Sequence, residues 1–370
     1  MNFAHGQQSI LMNLRCILHI GTAKTGSTTI QSFLQQNRQD LLARGFYFPH
    51  SLGQANHEKL VAYALDPSKI ESKRRHFSIA SKEDVSRFRG QTEAELSDEL
   101  RNCPGTIETL VLSNEHCHSR LTQATEIQAL EQLLRPFCSE IRVLVYLRRQ
   151  DRVALSLYNT KVLSGSSSAR IFPSVRPKLP IRFDHCTGLD LYASIFGQEN
   201  ITVRVFPPKP RSPQHLLMDF ANTIGLKNCS NLTFPDRLNQ SLAASELQFI
   251  RMFNLAMERE PLKNAATLRK RLIQNLRESH DSMTGEDPFR RLQQVFQLAL
   301  SQTGHKSIRK WLNAMEHIQA QRPLNPRNLT TRREATDFYA CFLQGNQEVL
   351  NRYKPHDGSL LFDDCFREYT

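Results

Sequence analysis

The chain has 370 residues, of which 39% are hydrophobic and 8% aromatic, as expected for a globular protein with one large α/β domain or two domains. No run of about 18 apolar residues is present, which excludes a transmembrane helix, and residues 1–13 lack the pattern of a signal peptide, so we expect a cytoplasmic protein. The net charge of +12 favours anionic partners such as nucleotides, acidic glycans or nucleic acid, and a basic surface without a specific partner is the alternative.

The eight cysteines are scattered along the chain and include no C-x-x-C pair. This spacing does not match a zinc ligand set or a disulfide framework. The sequence therefore predicts reduced thiols and no metal site.

The first informative stretch runs from His19 to Gln31. An apolar strand, Cys16–Ile20, precedes a loop of small residues, and apolar residues at helical spacing follow the loop. Such a loop presents backbone N–H groups at the positive end of a helix dipole, which is the usual way to bind phosphate. We predict an anion site formed by Lys24, Thr25, Gly26, Ser27, Thr28 and Thr29.

The position of the lysine distinguishes this loop from a nucleoside-triphosphate site. In the pattern G-x-x-x-x-G-K-[ST] the lysine follows the second glycine. Here Gly21 and Gly26 keep the glycine spacing, but Lys24 comes before Gly26 rather than after it. The lysine head group is therefore expected to meet a phosphate chain at a different place. A tight strand–helix turn with an incidental lysine is the structural alternative.

Strands and helices alternate along the next part of the chain, which predicts a three-layer α/β fold with a parallel sheet and right-handed crossovers. The predicted elements are, in order, a helix from Ser27 to about Leu42 ending at Gly45, an extended segment 46–49, helices 56–65 and 83–101, a strand beginning at Leu110, a helix 124–137, a strand 141–147, helices 151–163 and 190–196, a strand 201–206, and helices 216–224, 242–257 and 337–353.

Three regions follow from this order. Residues 14–240 are expected to form a P-loop-like nucleotide-binding core, with residues 50–105 as an insertion or lid. Residues 241–370 are expected to form a mostly helical part that packs on the core and lines an acceptor cleft. Within that part, residues 261–335 contain 14 Lys and Arg against 6 Asp and Glu, a net charge of 14 − 6 = +8.

Two further strands end in polar residues. The strand that begins at Leu110 runs into Glu115 and His116, and the strand 141–147 is followed by Arg148 and, eight residues later, by Ser156. Ligands collect at the carboxyl ends of strands in open α/β sheets, and arginine grips phosphate in bidentate fashion. Together with the loop, these residues fit a ligand with phosphates at two ends, such as an adenosine with a 5′-phosphosulfate and a 3′-phosphate. A surface arginine and a helix serine without a joint role are the alternative.

These motifs resemble those of nucleotide-dependent sulfotransferases, in particular the bacterial branch similar to carbohydrate sulfotransferases. The family's first loop reads P-K-[TSA]-G-[TS]-[ST], which residues 24–28 match, with Ala23 where proline is usual. Its second motif is R-[DN]-P with a serine eight residues after the arginine. Arg148 and Ser156 match that spacing, but Arg149 departs from the motif, so Arg148 is assigned by register. Further patches are 201–206, 224–226, 239–242 and 346–353.

The resemblance implies sulfuryl transfer from 3′-phosphoadenosine-5′-phosphosulfate (PAPS) to a carbohydrate hydroxyl or amine, leaving 3′-phosphoadenosine-5′-phosphate (PAP). Lys24 would neutralise the leaving phosphate oxygen, so no metal is required. Glu115 is the first candidate for the general base, with a structural pair to an arginine as its alternative, and His116, His118 and His57 compete with it. Each histidine taken alone is better explained as structural or simply exposed. The basic segment 261–335 would bind an acidic or sulfated glycan.

Two other functions compete with this interpretation. An NTP-dependent kinase is disfavoured by the displaced lysine and by the lack of a clear strand that ends in an aspartate suited to Mg²⁺. A non-catalytic protein that binds polyanions or nucleic acid is suggested by the charge alone. No basic motif with interleaved aromatic residues supports it, so we expect no nucleic-acid partner.

Overall fold

The computed structural model describes residues 13–69, 72–207, 213–235, 242–259, 261, 264–278, 288–302 and 329–369. The strands are β1 Leu14–Gly21, β2 Phe46–Tyr47, β3 Thr109–Ser113, β4 Cys138–Leu147 and β5 Ile201–Val205. The helices are α1 Ser27–Gln36, α2 Arg38–Leu42, α3 Glu58–Ala64, α4 Ser72–Arg75, α5 Lys82–Arg101, α6 His116–Arg120, α7 Ala124–Leu134, α8 Gln150–Leu163, α9 His185–Phe196, α10 Pro213–Thr223, α11 Ala244–Arg259, α12 Ala265–Glu278, α13 Pro288–Gln302, α14 Arg332–Ala340 and α15 Leu343–Tyr353.

All five strands pair in parallel, in the order β2-β3-β1-β4-β5. The strand β1 lies at the centre of the sheet. Its residues are almost all buried, which is the pattern of a parallel strand covered on both faces. The chain moves to one side of β1 to form β2 and β3 and then crosses to the other side to form β4. The carboxyl ends of β1 and β4 therefore flank the switch point of the sheet, where open α/β folds bind ligands.

Helices flank the sheet, as the sequence predicts. On one face, α1 and α10 pack against Ile17, Val111, Leu144 and Tyr146 in one apolar cluster. Side chains alternate between the two faces of a strand, and α9, which packs on α7, contacts β4 and β5. The α/β prediction with a parallel sheet is confirmed.

The prediction of a single helix from Ser27 to Leu42 is wrong, because Asn37 interrupts it and separates α1 from α2. The side chain of Asn37 is buried and forms hydrogen bonds both to α1 and to a distant segment of the chain. Its amide donates to the carbonyls of Phe33 and Thr233, both at 2.8 Å, and its side-chain oxygen accepts from the N–H of Thr233 at 2.7 Å. These bonds tie the end of α1 to a segment far along the chain.

The single helix predicted over residues 337–353 is also wrong, because α14 ends at Ala340 and α15 begins at Leu343. Between them, Phe342 is buried, and its ring lies 6.2 Å from that of Phe183. Anchoring this aromatic side chain interrupts a pattern that is otherwise helical.

Residues 50–105 contribute the helices α3, α4 and α5, of which the first packs on α6 and α7. The carboxylate of Glu99 on α5 holds the start of this segment: it accepts from the Tyr47 hydroxyl at 2.9 Å and from the N–H groups of His50 and Ser51 at 2.6 and 2.7 Å. The N–H of His57 donates to the carbonyl of Ser113 at 3.1 Å. The segment expected to be an insertion or lid is thus bonded to the end of β3.

The contacts divide the chain into two units. The first, which holds the sheet, comprises Met1–Arg149, Val175–Leu238 and Phe342–Asp363 as far as these ranges are described. The second comprises Gln150–Ser174, Asn239–Cys341 and Asp364–Thr370, and α8, α11, α12 and α13 share its apolar cluster. This grouping differs from the expected division into 14–240 and 241–370, since α8 groups with the later helices and α15 with the sheet. Among the described helices, none is both long and apolar enough to cross a bilayer.

Candidate functional site

The loop after β1 leads into a helix whose first turn is open to an anion. Gly26 is the N-cap of α1 in the left-handed conformation, with φ +80°, and no side chain caps the helix. The first turn contains no acidic residue. The N–H groups at the start of a helix have no partner within it and lie at the positive end of its dipole. This end of α1 therefore suits a phosphate or sulfate group.

Glycine is required at two positions of the loop. At Gly26 an added Cβ would lie 2.3 Å from the Leu216 side chain, and at Gly21, where φ is +100°, it would lie 2.9 Å from the Cα of Glu115. The second contact means that Glu115 sits directly against the end of β1. Both glycines thus allow close approach as well as the unusual backbone conformation.

Three loop hydroxyls point inward. Thr22 donates its hydroxyl to the carbonyl of Tyr146 at 3.1 Å, while the hydroxyls of Thr25 and Ser27 donate to the carbonyl of Thr22 at 2.6 and 3.4 Å. All three residues are buried, whereas Thr28 is exposed in the first turn of α1 and Thr29 is half-buried. The inward hydroxyls shape the loop, and a bound anion would meet backbone N–H groups and Thr28.

Lys24 lies in this loop with φ +71° and is partly buried. Burial lowers the pKa of its ammonium group, the carboxylate of Glu115 opposes this effect, and the guanidinium of Arg148 adds to it. The three charged groups therefore act on one another at the ends of β1, β3 and β4. An additional negative charge at this place would stabilise both cations.

The two arginines after β4 have different surroundings. Arg148 donates from Nη1 to the carbonyl of Lys24 at 2.9 Å, and its guanidinium carbon lies 5.4 Å from the centroid of the Phe206 ring. Arg149 is only 1% exposed, and its Nη1 donates to the backbone and side-chain oxygens of Asp363, both at 3.0 Å. The arginine that lies at the loop is Arg148, the residue assigned from the motif register.

Glu115 and His116 lie at the end of β3, where Glu115 is the N-cap of α6. Their side chains are 20% and 27% exposed, and Glu115 Oε1 is 3.8 Å from His116 Nε2. The other carboxylate oxygen, Oε2, accepts a hydrogen bond from the Gln31 amide at 2.9 Å. Glu115 is therefore a partly accessible carboxylate beside Lys24 with one oxygen already bonded.

The sequence reasoning missed a buried polar group behind Glu115. Gln31 also donates to the Ser113 hydroxyl at 3.3 Å, and this hydroxyl lies 2.8 Å from His19 Nδ1. The available signal was a glutamine between the apolar residues Ile30 and Phe33 on the buried side of α1. A buried amide at such a position requires polar partners.

Two of the three histidines proposed as competing bases, His57 and His118, are buried. The imidazole of His57 accepts from the N–H of Ser113 at 3.3 Å, donates to the carbonyl of Pro49 at 3.0 Å and packs on the Phe48 ring. His118 is 1% exposed, and neither ring nitrogen has a hydrogen-bond partner within the described residues. Burial lowers the pKa of both to about 3. Both histidines are thus neutral and enclosed, in contrast to His116.

The remaining predicted residues lie elsewhere in the structure. Ser156 is half-buried on α8, in the second unit, and its carbonyl accepts a hydrogen bond from the Thr160 hydroxyl at 3.1 Å. The patch 239–241 and much of the basic segment 261–335 lie outside the described residues. In the described part of that segment, α12 exposes Lys270 and Arg271. No group of three His, Cys, Asp or Glu within the described residues is arranged to hold a metal ion.

The site thus combines an uncapped helix N-terminus, a lysine, an arginine and an accessible carboxylate at three adjacent strand ends. The cations and N–H groups are able to hold an anionic leaving group, and the carboxylate is able to accept a proton beside it.

No protein-family model matches the chain, and no curated protein matches it. One solved structure is similar, a sulfotransferase from Alicyclobacillus acidocaldarius. It aligns with 70% of this chain and 94% of its own, at 12% sequence identity and a TM-score of 0.36.

Proposed function

We propose that this protein is a sulfotransferase that uses PAPS and transfers its sulfuryl group to a hydroxyl or amine of a carbohydrate-type acceptor. The observation that carries the proposal is the bond from Arg148 to the carbonyl of Lys24 beside the uncapped start of α1. It joins the two motifs on which the family resemblance rests, although they lie more than a hundred residues apart in the sequence.

The charges of the site suggest how PAPS is held. The N–H groups of the loop and of the first turn of α1, from Thr25 to Thr28, bind the 5′-phosphosulfate, while the N–H of Thr29 already donates to the carbonyl of Gly26 at 2.9 Å. Lys24 would neutralise the charge that develops on the bridging oxygen. Arg148 binds the 3′-phosphate, as the resemblance implies. The residues present fit this ligand without a metal.

The reaction is an in-line displacement at sulfur. The acceptor oxygen or nitrogen forms a bond to sulfur while the bond from sulfur to the phosphate oxygen of PAPS breaks, and the electron pair of that bond leaves with PAP. The proton of the acceptor passes to Glu115, with His116 beside it as the second candidate, and is then released to water. Catalysis of this kind depends on positioning and on electrostatic stabilisation of the leaving group.

Calorimetry with PAP tests the nucleotide site. We expect Lys24→Ala and Arg148→Ala each to weaken PAP binding by at least about tenfold, because charge-assisted hydrogen bonds of this kind contribute about 1.5–3 kcal/mol. The matched controls are Arg142→Ala and Lys82→Ala. Arg142 is an exposed arginine on β4, the strand that directly precedes Arg148, and Lys82 is an exposed lysine on α5.

Two outcomes would contradict the proposal. Equal PAP affinity in the wild type and both site variants would remove the site assignment. Tight Mg²⁺-dependent binding and turnover of ATP, with no binding of PAP, would favour a kinase instead.

A further inference from the structure

The side chain of Gln31 is polar but lies at a buried position of the kind that apolar side chains usually occupy. It lies on the buried side of α1 among Ile30, Phe33 and Leu34, and it is 4% exposed. Burying an amide is unfavourable unless its hydrogen bonds are made. Both of the described bonds of this amide reach the end of β3.

The geometry fixes the orientation of the amide. Its nitrogen donates to Glu115 Oε2 at 2.9 Å and to the Ser113 hydroxyl at 3.3 Å. An amide nitrogen carries two hydrogens, and a carboxylate only accepts. The nitrogen therefore has to face Glu115, since the opposite orientation would place two acceptor oxygens against each other.

The bonds continue into the core. The Ser113 oxygen lies 2.8 Å from His19 Nδ1, and burial lowers the pKa of His19 to about 3, so this imidazole is neutral. Because Ser113 accepts from Gln31, its own proton is free to go to His19 Nδ1. The His19 ring is enclosed by Tyr146 and Phe220, with ring centroids 6.0 and 5.8 Å away. This series of hydrogen bonds thus ends in a rigid part of the sheet.

We infer that Gln31 is a positioning residue that orients Glu115 for proton transfer, held in place by Ser113 and His19. The inference rests on the proposed function. With Oε2 bonded to Gln31, Oε1 is the oxygen that receives the acceptor proton. Because Gln31 and the anion-binding N–H groups belong to the same helix, α1 sets the position of the base relative to the sulfuryl donor.

The test replaces the amide by a side chain of similar size without a donor. In Gln31→Met we expect kcat to fall about tenfold, with the PAPS KM and the PAP affinity within twofold of the wild type. Gln35→Met, an exposed glutamine one turn along α1, is the matched control, and thermal melting checks the fold of both.

A double-mutant cycle separates positioning from structural damage. In a Glu115→Gln background, Gln31→Met should cause no further loss of kcat, since its effect passes through Glu115. Equal loss in both backgrounds, or an unchanged kcat in Gln31→Met alone, overturns this inference and leaves the proposed function standing. Failure of the wild type to transfer sulfuryl from PAPS, or an unchanged rate in Glu115→Gln, overturns the proposed reaction or its base, and the inference falls with it.

Discussion

The electrostatic surroundings of Lys24 favour the binding of an anion. Burial lowers the pKa of its ammonium group. The carboxylate of Glu115 raises this pKa by a smaller amount, and the guanidinium of Arg148 lowers it further. The cation is thus less stabilised than it would be in water. In the proposed complex with PAPS, the negative charge of the phosphosulfate would reverse this effect at Lys24, and the 3′-phosphate would do so at Arg148. In an in-line transfer that stabilisation grows as the leaving phosphate oxygen gains charge.

Four buried histidines should make the stability of the protein depend on pH. Burial lowers the pKa of His19, His57 and His118 to about 3 and that of His185 to about 4. In the unfolded chain they titrate near 6.5, so the unfolded state binds more protons below that pH. We expect the free energy of unfolding to fall as the pH drops from 6.5 towards 4, by up to about 1.4 kcal/mol per pH unit for each histidine.

Urea unfolding of His57→Gln at several pH values measures one of these contributions. Glutamine offers one donor and one acceptor in place of those of the imidazole, so the variant should fold and show a shallower slope by up to about 1.4 kcal/mol per pH unit. The exposed His50→Gln is the control. Identical slopes for both variants and the wild type would contradict the assignment of His57 as a neutral core residue.

At the scale of residues, the sequence is informative where chemistry and spacing coincide. The glycine spacing and the strand ends identify Lys24, Glu115 and Arg148, which the structure places at adjacent strand ends. Burial is not visible in the same way. His57 follows polar residues in the sequence yet is enclosed by Phe48 and Pro49, and the partner of Gln31 lies 84 positions away.

Among the elements, α1 connects several parts of the site. Its first turn is open to an anion, Gln31 on its buried side contacts Glu115, and its end is held by Asn37. The bonds between Asn37 and Thr233 explain why the helix stops where it does. They also fix α1 lengthwise, and therefore fix the distance between the anion-binding turn and the sheet.

Asn37→Ala should destabilise the protein by about 1–2 kcal/mol, because it removes the hydrogen bonds that the buried Asn37 side chain makes to the backbone of Phe33 and Thr233. The chain contains a matched control in Asn102, which is the C-cap of α5. Its amide also donates to the carbonyl four residues earlier at 2.8 Å, but in an exposed position. Asn102→Ala should cost less than about 0.5 kcal/mol. Urea unfolding distinguishes the two, and equal losses would mean that the bonds to Thr233 contribute nothing.

The predicted elements were most accurate where the apolar pattern is strong and local. The strands at β1, β4 and β5 and the helix α5 lie close to the predicted positions. The predictions of two long helices failed at Asn37 and Phe342, because each of these side chains contacts a residue from a distant segment. Contacts of that kind override a helical pattern and leave no mark on it.

For the whole molecule, the excess of positive charge is the property that bears on the acceptor. If the basic segment binds an anionic glycan, neutralising Lys270 and Arg271 on α12 should raise the acceptor KM. An exposed charge contributes about 0.5–1 kcal/mol, so the expected increase in KM for the pair is about five- to thirtyfold. The affinity for PAP should not change.

Steady-state kinetics of Lys270→Gln/Arg271→Gln with a chondroitin acceptor provide the measurement. Lys82→Gln/Arg87→Gln on α5 removes the same charge from exposed residues of the other unit. Equal KM values for both double variants would argue against a glycan site on α12 and for a general effect of charge.

The division of the chain into two units, each assembled from three separate stretches, also matters while the protein is being synthesised. The sheet unit includes Phe342–Asp363, and within that stretch α15 packs on α9 and Leu361 and Phe362 are buried. A ribosome that has completed all five strands still has this stretch to translate. During that interval the sheet unit lacks the side chains of Leu361 and Phe362, which are buried in the folded protein, so the nascent chain exposes apolar surface to which chaperones can bind.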